Sequence, residues 1–322
     1  MPVQEWILTD SGWSNPWSPD LLRGRDFLVY GEYMPDATNT GPTRTLTEHV
    51  GDIETTADGQ VIEGLDVYGQ VVVKHSGVTV RDCHLRSKQP ETGSGKTLPA
   101  LQMWRGTPNV TRVLDCEIEA EAFPEVGSTE AVGGMDYIIE RCNIHHAVDG
   151  IKGNYGNVEI YGCWIHDLPW YDYDPNQNDG SHNDGIQLIG SAGQTTGGFV
   201  IRGNRIECGD KGTSGVLCTQ PEGTFVHSLT IDRNWFISVS VRADATATGL
   251  NLSQKNIPVA YGPTTVTNNR FTAWDGSQSP EGYGWRVDHD GLIHEQTFDA
   301  ATISGNTWMD GITPAKITRV RV

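Results

Sequence analysis

Two acidic residues at matching positions in the chain have the spacing for acid–base chemistry. Asp149 and Asp184 each precede a glycine at the start of two similar segments, DGIKG (149–153) and DGIQL (184–188). If these segments are neighbouring parallel strands, their α-carbons lie about 4.8 Å apart. Two carboxyl groups so close raise the pKa of one of them, which suits a general acid. A structural interpretation competes with this one, because Asp-Gly is also a common turn sequence.

A lysine and a histidine accompany the two carboxyl groups. Lys152 follows Asp149 by three residues, and His182 precedes Asp184 by two. Proton abstraction needs a base and an acid, and Lys152 is the candidate base, with His182 or His146 as the acid. We therefore predict a catalytic set of Asp149, Asp184, Lys152 and His182.

The longest insertion before one of these segments, residues 167–183, is rich in aromatic and acidic side chains. Its oxygen-bearing side chains alternate along the chain in a way that suits Ca²⁺, but it lacks the turn glycine and the closing glutamate of an EF-hand loop. A sugar-binding loop and a merely solvated loop are the alternatives. The predicted calcium ligands are Asp172, Asp174 and Asp179.

Outward positions of the strand family define a predicted substrate face. In DGIKG, DGIQL, SGVLC (214–218), TGLNL (248–252) and YGWRV (283–287) the third residue is apolar and is expected to point inward, so the fourth points outward. Any solvated strand also shows polar outward residues. The predicted substrate-binding residues, from this face and from the insertion, are Gln187, Asn251, Arg286, Trp170, Tyr171 and Tyr173.

These segments belong to a repeat that runs through most of the chain. Each copy alternates apolar and polar residues, breaks for two residues at a Gly, Asp or Asn, and resumes with Cys or Asn and one more apolar residue. Arg141 and Arg233 are exceptions at the break. A unit repeated about nine times must stack on its neighbours to bury its apolar face. The copies are VTVRDCHL (78–85), TRVLDCEI (111–118), YIIERCNI (137–144), VEIYGCWI (158–165), FVIRGNRI (199–206), LTIDRNWF (229–236), TTVTNNRF (264–271) and ATISGNTW (301–308), with a degenerate first copy at 59–67.

Stacked copies predict two inward columns. One column contains Cys and Asn, whose side chains satisfy buried polar groups at a sharp corner; its residues are Leu65, Cys83, Cys116, Cys142, Cys163, Asn204, Asn234, Asn269 and Asn306. The other column is apolar and contains Leu85, Ile118, Ile144, Ile165, Ile206, Phe236, Phe271 and Trp308. All six cysteines are expected to be thiols, with a Cys208–Cys218 disulfide as the alternative.

A different column combines histidine with glutamate on an outward face. His145 and His166 share this column, and Glu119 and Glu207 accompany them. We interpret this alternation as structural, because paired partners on a half-exposed sheet stabilise each other.

The repeat resembles the right-handed parallel β-helix superfamily of pectate lyases, polygalacturonases and phage tailspikes over roughly residues 59–310. The resemblance implies an all-β fold of about nine coils, with substrate on the face of the DGIQL family. The segment HNDGI (182–186) resembles the Asn-Thr-Asp-Gly motif of polygalacturonases, which implies a catalytic position for Asp184. The next coil, TSGVLC (213–218), has no paired aspartate, so the resemblance to polygalacturonases is partial.

The segments that flank the repeat are expected to close its ends. Residues 1–58 are predicted to form an N-terminal cap and attachment segment, 59–310 the β-helix, and 311–322 a C-terminal closing segment. The run PDATNTGPTRTL (35–46) and the strands after it resemble the entry of β-helix proteins from actinobacteria and their phages.

Composition narrows the expected partners. The net charge is −18, from 41 acidic and 23 basic residues, which argues against nucleic acid. No long apolar run or secretory leader is evident, so we expect no membrane insertion. No cofactor is expected apart from the open question of Ca²⁺.

The leading functional hypothesis is a phage tail or tailspike-like protein in the virion that binds, and in a stronger form depolymerises, a host surface glycan. It would assemble as a homotrimer or against virion neighbours. The alternatives are a secreted polysaccharide lyase or glycoside hydrolase and a purely structural tail component.

Overall fold

The computed structural model describes most of the chain, and within its described ranges all regular structure is β-strand. No described segment forms an apolar helix long enough to cross a lipid bilayer. The described ranges are 33–87, 98–104, 110–120, 130–174, 180–190, 195–208, 214–219, 224–238, 248–252, 260–272, 291–294, 301–309, 311–312, 314–315 and 317–320.

The strands form three long parallel sheets, as in a parallel β-helix. Sheet 1 contains β1 (Thr47–Val50), β4 (Leu65–Tyr68), β7 (His84–Ser87), β10 (Glu117–Ala120), β13 (Asn143–His145), β16 (Trp164–Ile165), β19 (Arg205–Cys208), β22 (Trp235–Ser238), β26 (Arg270–Phe271) and β29 (Thr307–Trp308). Sheet 2 contains β2 (Ile53–Glu54), β5 (Val71–Val73), β8 (Leu101–Met103), β11 (Glu130–Gly134), β14 (Asp149–Asn154), β17 (Asp184–Ile189), β20 (Ser214–Thr219), β23 (Thr248–Leu252), β27 (Gly291–His294) and β30 (Ile317–Val320). Sheet 3 contains β3 (Val61–Glu63), β6 (Thr79–Arg81), β9 (Thr111–Leu114), β12 (Tyr137–Glu140), β15 (Val158–Tyr161), β18 (Thr195–Arg202), β21 (Phe225–Asp232), β25 (Thr264–Thr267) and β28 (Thr302–Ser304), and β24 (Ala260–Tyr261) pairs with β21.

The chain visits the sheets in a fixed order, so that each rung has one strand from each sheet. It passes from sheet 1 to sheet 2 and from sheet 2 to sheet 3 through loops of varied length, and returns to sheet 1 through a tight corner. Sheet 2 is therefore bordered by variable loops on both sides. Variable loops often contribute residues to binding sites, so the outward face of sheet 2 is a candidate binding surface.

The apolar column predicted from the repeat is confirmed by the pairing of sheet 1. Ile118 pairs with Ile144, Ile144 with Ile165, and Ile165 with Ile206. The column continues upward through the stacked rings of Phe236 and Phe271, whose centroids lie 4.8 Å apart. These residues fill the interior between the three sheets.

The tight corner has the left-handed backbone that the sequence predicts. Asp82, Asp115 and Asn268 have φ values of 49°, 51° and 55°. The two exceptions in residue type adopt the same conformation, with φ of 49° at Arg141 and 56° at Arg233. At Arg141 the guanidinium donates two hydrogen bonds of 2.9 Å to the Asp115 carboxylate one rung below, which holds a conformation unfavourable for arginine.

The residue after each corner forms the predicted Cys–Asn ladder. The side-chain oxygen of Asn234 accepts from the backbone N–H and the side-chain N–H₂ of Asn204, both at 3.0 Å. Asn234 in turn donates to Asn269 at 2.9 Å. Lower in the column, the backbone N–H of Cys116 points at the Cys142 sulfur at 3.4 Å. Burial raises the pKa of Cys116 and Cys163, which keeps both as thiols.

The structure corrects three details of the sequence prediction. Cys218 is a buried thiol that forms no disulfide, so the disulfide alternative is wrong. Strand β11 was not predicted, and it inserts Glu130–Gly134 into sheet 2 next to β14. The strand that pairs with β23 is Gly291–His294 rather than the predicted 283–287, which lies outside the described residues.

The sheets also extend beyond the predicted limits of 59 and 310. Strand β1 already pairs with β4, and β30 pairs with β27. Residues 1–32, the larger part of the predicted cap, lie outside the described residues.

Within the N-terminal segment, residues 35–44 cross the tight corners of several rungs from outside. The Arg205 side chain donates to the Pro35 carbonyl at 3.5 Å. The Gly41 N–H donates to the Arg141 carbonyl at 2.9 Å, and the Thr43 N–H donates to Asp82 at 2.9 Å. We refer to residues 35–44 as the strap, because they connect rungs that lie far apart in the sequence.

Candidate functional site

The outward face of sheet 2 brings together most of the described residues of the predicted site. Lys152 pairs with Gln187, Gln187 with Leu217, and Leu217 with Asn251. The predicted outward column therefore exists, with the apolar Leu217 between its two amide side chains. Arg286 lies outside the described residues.

A second column on the same face contains three carboxyl groups in successive rungs. Glu130 pairs with Asp149, and the backbone N–H of Asp184 donates to Asp149 Oδ1 at 2.9 Å. The next two positions of the column are Ser214 and Thr248. The sequence predicted the Asp149–Asp184 pair but missed Glu130, because β11 lacks the Asp-Gly start of its neighbours.

Lys152 lies among these carboxyl groups. Its Nζ is 3.1 Å from Asp149 Oδ2 and 3.8 Å from Glu130 Oε2. The Gln187 side chain donates to Asp184 Oδ2 at 3.4 Å. One lysine is therefore shared by two carboxyl groups, while the third lies beside an amide.

The electrostatics of this group combine unfavourable burial with attraction. Burial raises the pKa of Asp149, although Lys152 and the Asp184 N–H act in the opposite direction. Burial likewise raises the pKa of Glu130 against the effect of Lys152. Burial alone would lower the pKa of Lys152, yet Asp149 and Glu130 raise it above its usual value. Lys152 therefore remains charged, whereas Asp149 and Glu130 hold their protons to higher pH than usual.

Glycines explain how this group fits on the sheet. A Cβ at Gly133, which pairs with Lys152, would lie 2.9 Å from Glu130 Oε1, so the missing side chain leaves the space that Glu130 occupies. A Cβ at Gly150 would lie 2.5 Å from the Gly185 carbonyl and 2.6 Å from Ile165 Cγ2. The glycine of the Asp-Gly pairs is thus required by close packing of adjacent rungs. Both pairs lie within strands β14 and β17, so packing rather than the predicted turn explains the motif.

Exposure separates the residues that reach solvent from those that position them. Asp149 and Asp184 are only 2% and 1% exposed, whereas the side chains of Lys152 and Glu130 are 17% and 16% exposed. Gln187 is also partly exposed. In this arrangement Lys152, Glu130 and Gln187 can contact a ligand, while Asp149 and Asp184 orient them.

The aromatic insertion is anchored where it leads into β17. Tyr171 and Ser181 are joined by two hydrogen bonds of 2.9 Å, and Asn183 donates to the Pro169 carbonyl at 2.6 Å. A Cβ at Gly180 would lie 2.5 Å from the Trp170 ring, so the indole packs directly on that glycine. The insertion thus holds its aromatic residues at the border of sheet 2.

The aromatic side chains differ in exposure. Tyr173 is 61% exposed, and Trp170 and Tyr171 are half-buried. His182, at the end of the insertion, is partly exposed. The predicted catalytic and aromatic residues therefore lie on the same side of the molecule.

The predicted calcium ligands do not share one environment. Asp172 is exposed, Asp174 is only 3% exposed, and Asp179 lies outside the described residues. The calcium site stays a prediction.

Comparison with known proteins gives no relative for this chain. No protein-family model, no curated protein and no solved structure matches it.

Proposed function

We propose that this chain is a tailspike-like, right-handed parallel β-helix of the pectate-lyase-like kind, with about nine coils and an N-terminal cap, which binds a host surface glycan along sheet 2. The proposed setting is a phage virion, with further copies of the chain or virion neighbours as partners. The observation that carries the proposal is the convergence of partly exposed Lys152, Glu130 and Gln187 with the anchored aromatic insertion at the border of one sheet.

Sugar recognition uses the two kinds of contact that this region supplies. Aromatic rings such as Trp170 and Tyr173 offer flat apolar surface to a pyranose face. Amide, ammonium and carboxyl groups donate to and accept from hydroxyl groups, and here Lys152 and Gln187 are held in place by Asp149 and Asp184. Pre-positioned side chains lose less entropy when a ligand binds.

The charge balance favours a neutral glycan. Lys152 is shared by Asp149 and Glu130, so its positive charge is compensated within the protein. The chain as a whole has a net charge of −18, which repels polyanions at a distance. An acidic polymer therefore gains little from the lysine and is repelled by the carboxyl groups around it.

A second activity, hydrolysis of the bound glycan, is favoured by the raised pKa of Glu130. A protonated carboxyl group at the edge of a sugar site can donate its proton to the leaving glycosidic oxygen. A carboxylate then has to take a proton from the attacking water. Asp184, two rungs away, is the candidate for this step, and its burial requires that water reach it from the Gln187 side.

Binding is tested with neutral and uronic-acid polysaccharides of bacterial envelopes, by calorimetry or retention on immobilised polymer. We expect the neutral polymers to bind and Trp170→Ala to weaken binding by about tenfold, the effect of one aromatic stacking contact. Phe225→Ala removes a ring of 38% exposure from sheet 3 and serves as the matched control. Equal binding by wild type and Trp170→Ala, or preference for the acidic polymers, would contradict the proposed site.

Hydrolysis is tested by the release of reducing ends from the polymer that binds. Glu130→Gln and Asp184→Asn should abolish release while retaining binding. Glu159→Gln is the control, because burial also raises the pKa of Glu159 but this residue lies on sheet 3. If the wild type binds the polymer but releases no reducing ends, the hydrolytic activity is rejected and the binding function stands.

A further inference from the structure

The outward face of sheet 1 contains a second group of ionisable side chains. Glu117 and Glu119 on β10 lie between His84 on β7 and His145 on β13, in the register of three adjacent rungs. His146 follows directly at the end of β13. We refer to these five residues as the histidine–glutamate cluster. It takes no part in the proposed glycan site on sheet 2.

Three atoms of the cluster converge on one point. Glu119 Oε2 is 3.8 Å from His145 Nδ1 and 3.6 Å from His146 Nδ1, and the two Nδ1 atoms are 2.5 Å apart. All three potential ligand atoms lie within 4.8 Å of one another. In a tetrahedral zinc site with bonds of about 2.0–2.1 Å, neighbouring ligand atoms are about 3.3 Å apart. Small rotations of the two imidazole rings therefore suffice to give zinc geometry.

His145 and Glu119 are the two more buried of these residues, and each has a hydrogen-bond partner. The partner orients His145 Nδ1 or Glu119 Oε2 toward the other ligand atoms. His145 Nε2 lies 3.1 Å from Glu117 Oε1, so it donates its N–H there and leaves the lone pair of Nδ1 facing the cluster. Glu119 Oε1 lies 3.1 Å from His84 Nε2, which leaves Oε2 facing the two histidines. Outer hydrogen bonds of this kind orient histidine and carboxylate ligands in metal sites.

The charge and exposure of the cluster also suit a cation. Two glutamate side chains, Glu117 and Glu119, lie beside three histidines, with contacts of 3.1 Å from Glu119 Oε1 to His84 Nε2 and from Glu117 Oε1 to His145 Nε2. Arg86, whose Nε is 3.7 Å from Glu119 Oε1, is the opposing cation on the far side of that carboxylate. The His146 side chain is 58% exposed, which leaves an approach from solvent.

We propose that Glu119, His145 and His146 form a binding site for a divalent transition metal, with Zn²⁺ as the natural occupant. Two imidazole nitrogens and one carboxylate oxygen are a donor set that suits Zn²⁺ and disfavours Ca²⁺, which takes six to eight oxygen ligands. Glu117 and His84 are positioning residues that act through His145 and Glu119. Three protein ligands leave a fourth position for water on the exposed side.

This assignment replaces the structural interpretation of the histidine column. The His166 ring packs against Trp164 and His145, with ring centroids 3.6 Å and 5.1 Å away. Its two ring nitrogens are used elsewhere, because they bond to Asn143 at 2.7 Å and to Asp167 at 2.8 Å. Only the lower part of the column, at Glu119 and His145, has a converging third ligand among the described residues.

The test uses the whole chain after treatment with a chelator, titrated with Co²⁺ and then with Zn²⁺. We expect saturable binding of one equivalent, visible Co²⁺ absorption of tetrahedral intensity, displacement of Co²⁺ by Zn²⁺, and a higher melting temperature with Zn²⁺. His146→Ala should abolish the absorption and weaken Zn²⁺ binding by more than tenfold. Because His146 is exposed, this variant should retain the fold, as circular dichroism can check.

Two further variants separate a metal site from general surface binding. Glu117→Gln should weaken Zn²⁺ binding by about 10–100-fold without changing its stoichiometry, as loss of an outer hydrogen bond does in metal sites. His227→Ala, which removes an exposed histidine from sheet 3, should bind like the wild type. Absence of saturable Zn²⁺ binding below about 0.1 mM, or equal binding by the wild type and His146→Ala, overturns the proposal.

Discussion

The carboxyl groups on two faces of the same solenoid have pKa values that are shifted in opposite directions. On sheet 1, hydrogen bonds from histidines lower the pKa of Glu117 and Glu119. On sheet 2, burial raises the pKa of Glu130 and Asp149 even though Lys152 lies beside them. The first pair is held as carboxylates, which bind cations. The second pair holds protons longer, which suits hydrogen-bond donation and acid catalysis.

The difference arises from the number and placement of partners. Glu119 lies close to His84, His145 and Arg86 on a partly exposed face. Glu130 and Asp149 share one lysine and are more deeply buried. Similar residue types therefore support two kinds of chemistry, and the surrounding strands determine which one. Ionisable groups that remain unfavourably placed in a fold are frequent at functional sites.

The largest effect is expected from removal of the cation on sheet 2. Lys152→Met leaves Glu130 and Asp149 buried without compensation, and should lower the free energy of unfolding by about 3–5 kcal/mol at pH 7. Part of this loss should be recovered near pH 5, because the carboxyl groups then take up protons. Denaturant unfolding at both pH values measures this. Arg86→Met is the matched change on sheet 1, where the Arg86 side chain is 35% exposed and the expected cost is only about 0–1 kcal/mol. An equal loss of unfolding free energy in Lys152→Met and Arg86→Met would contradict the difference between sheet 2 and sheet 1.

A change in the core beneath both faces provides a reference without charge. Ile165 is fully buried and its Cγ2 lies against Gly150, so it supports sheet 1 and sheet 2 together. Ile165→Ala should lower the free energy of unfolding by about 2–5 kcal/mol through loss of packing and formation of a cavity. The loss should be the same at pH 5 and pH 7. A strong pH dependence here would show that the effects of Lys152→Met are not local to the carboxyl groups.

Replacement of one glutamate by glutamine on each face should change the free energy of unfolding in different directions. Glu119→Gln loses a hydrogen bond between charged groups and should destabilise the fold by about 1–2 kcal/mol at pH 7. Glu130→Gln removes a carboxyl group whose charged form is disfavoured by burial, and should leave the stability unchanged or raise it. Chemical denaturation of both variants at pH 7 gives the comparison. Destabilisation of similar size in both would contradict the opposite pKa shifts.

The smallest expected effect is the pH dependence of the stability differences between the wild type and the variants Glu130→Gln and Glu119→Gln. The folded-state pKa of Glu130 is raised, so between its unfolded and folded values the native state binds more protons, and its contribution to stability falls as pH rises through that window. The folded-state pKa of Glu119 is lowered, so its contribution is present above the unfolded value and is lost as pH falls through the folded value. The stability of wild type minus Glu130→Gln should therefore increase on acidification, and that of wild type minus Glu119→Gln should decrease. Parallel slopes would contradict this assignment.

The sequence was most informative where one physical requirement recurs in every rung. Apolar residues such as Ile165 and Ile206 must fill the same interior column, and residues such as Asp115 must adopt the left-handed corner. These requirements leave a periodic pattern, from which the three parallel sheets and the Cys–Asn ladder could be predicted. The Asp149–Asp184 register followed from the same pattern.

Features that occur in only one rung left no pattern to follow. Glu130 could have been located by asking which residues between Cys116 and Cys142 supply the sheet 2 strand of that rung, since every rung needs one. The convergence of Glu119 with His145 and His146 depends on ring rotations and on Glu117, which spacing alone does not specify. The path of the strap depends on single contacts such as Arg205 with Pro35.

The strap has a consequence for the order of events during synthesis. Pro35 leaves the ribosome early, but its partner Arg205 follows 170 residues later. The rungs between them contact their immediate neighbours and can form one after another as the chain emerges. The strap can make its Thr43 and Gly41 contacts with Asp82 and Arg141 earlier, but its Pro35 end can settle only after those rungs are in place. The first part of the described chain to be translated is therefore among the last to reach its final position, and it joins early and late rungs into one unit.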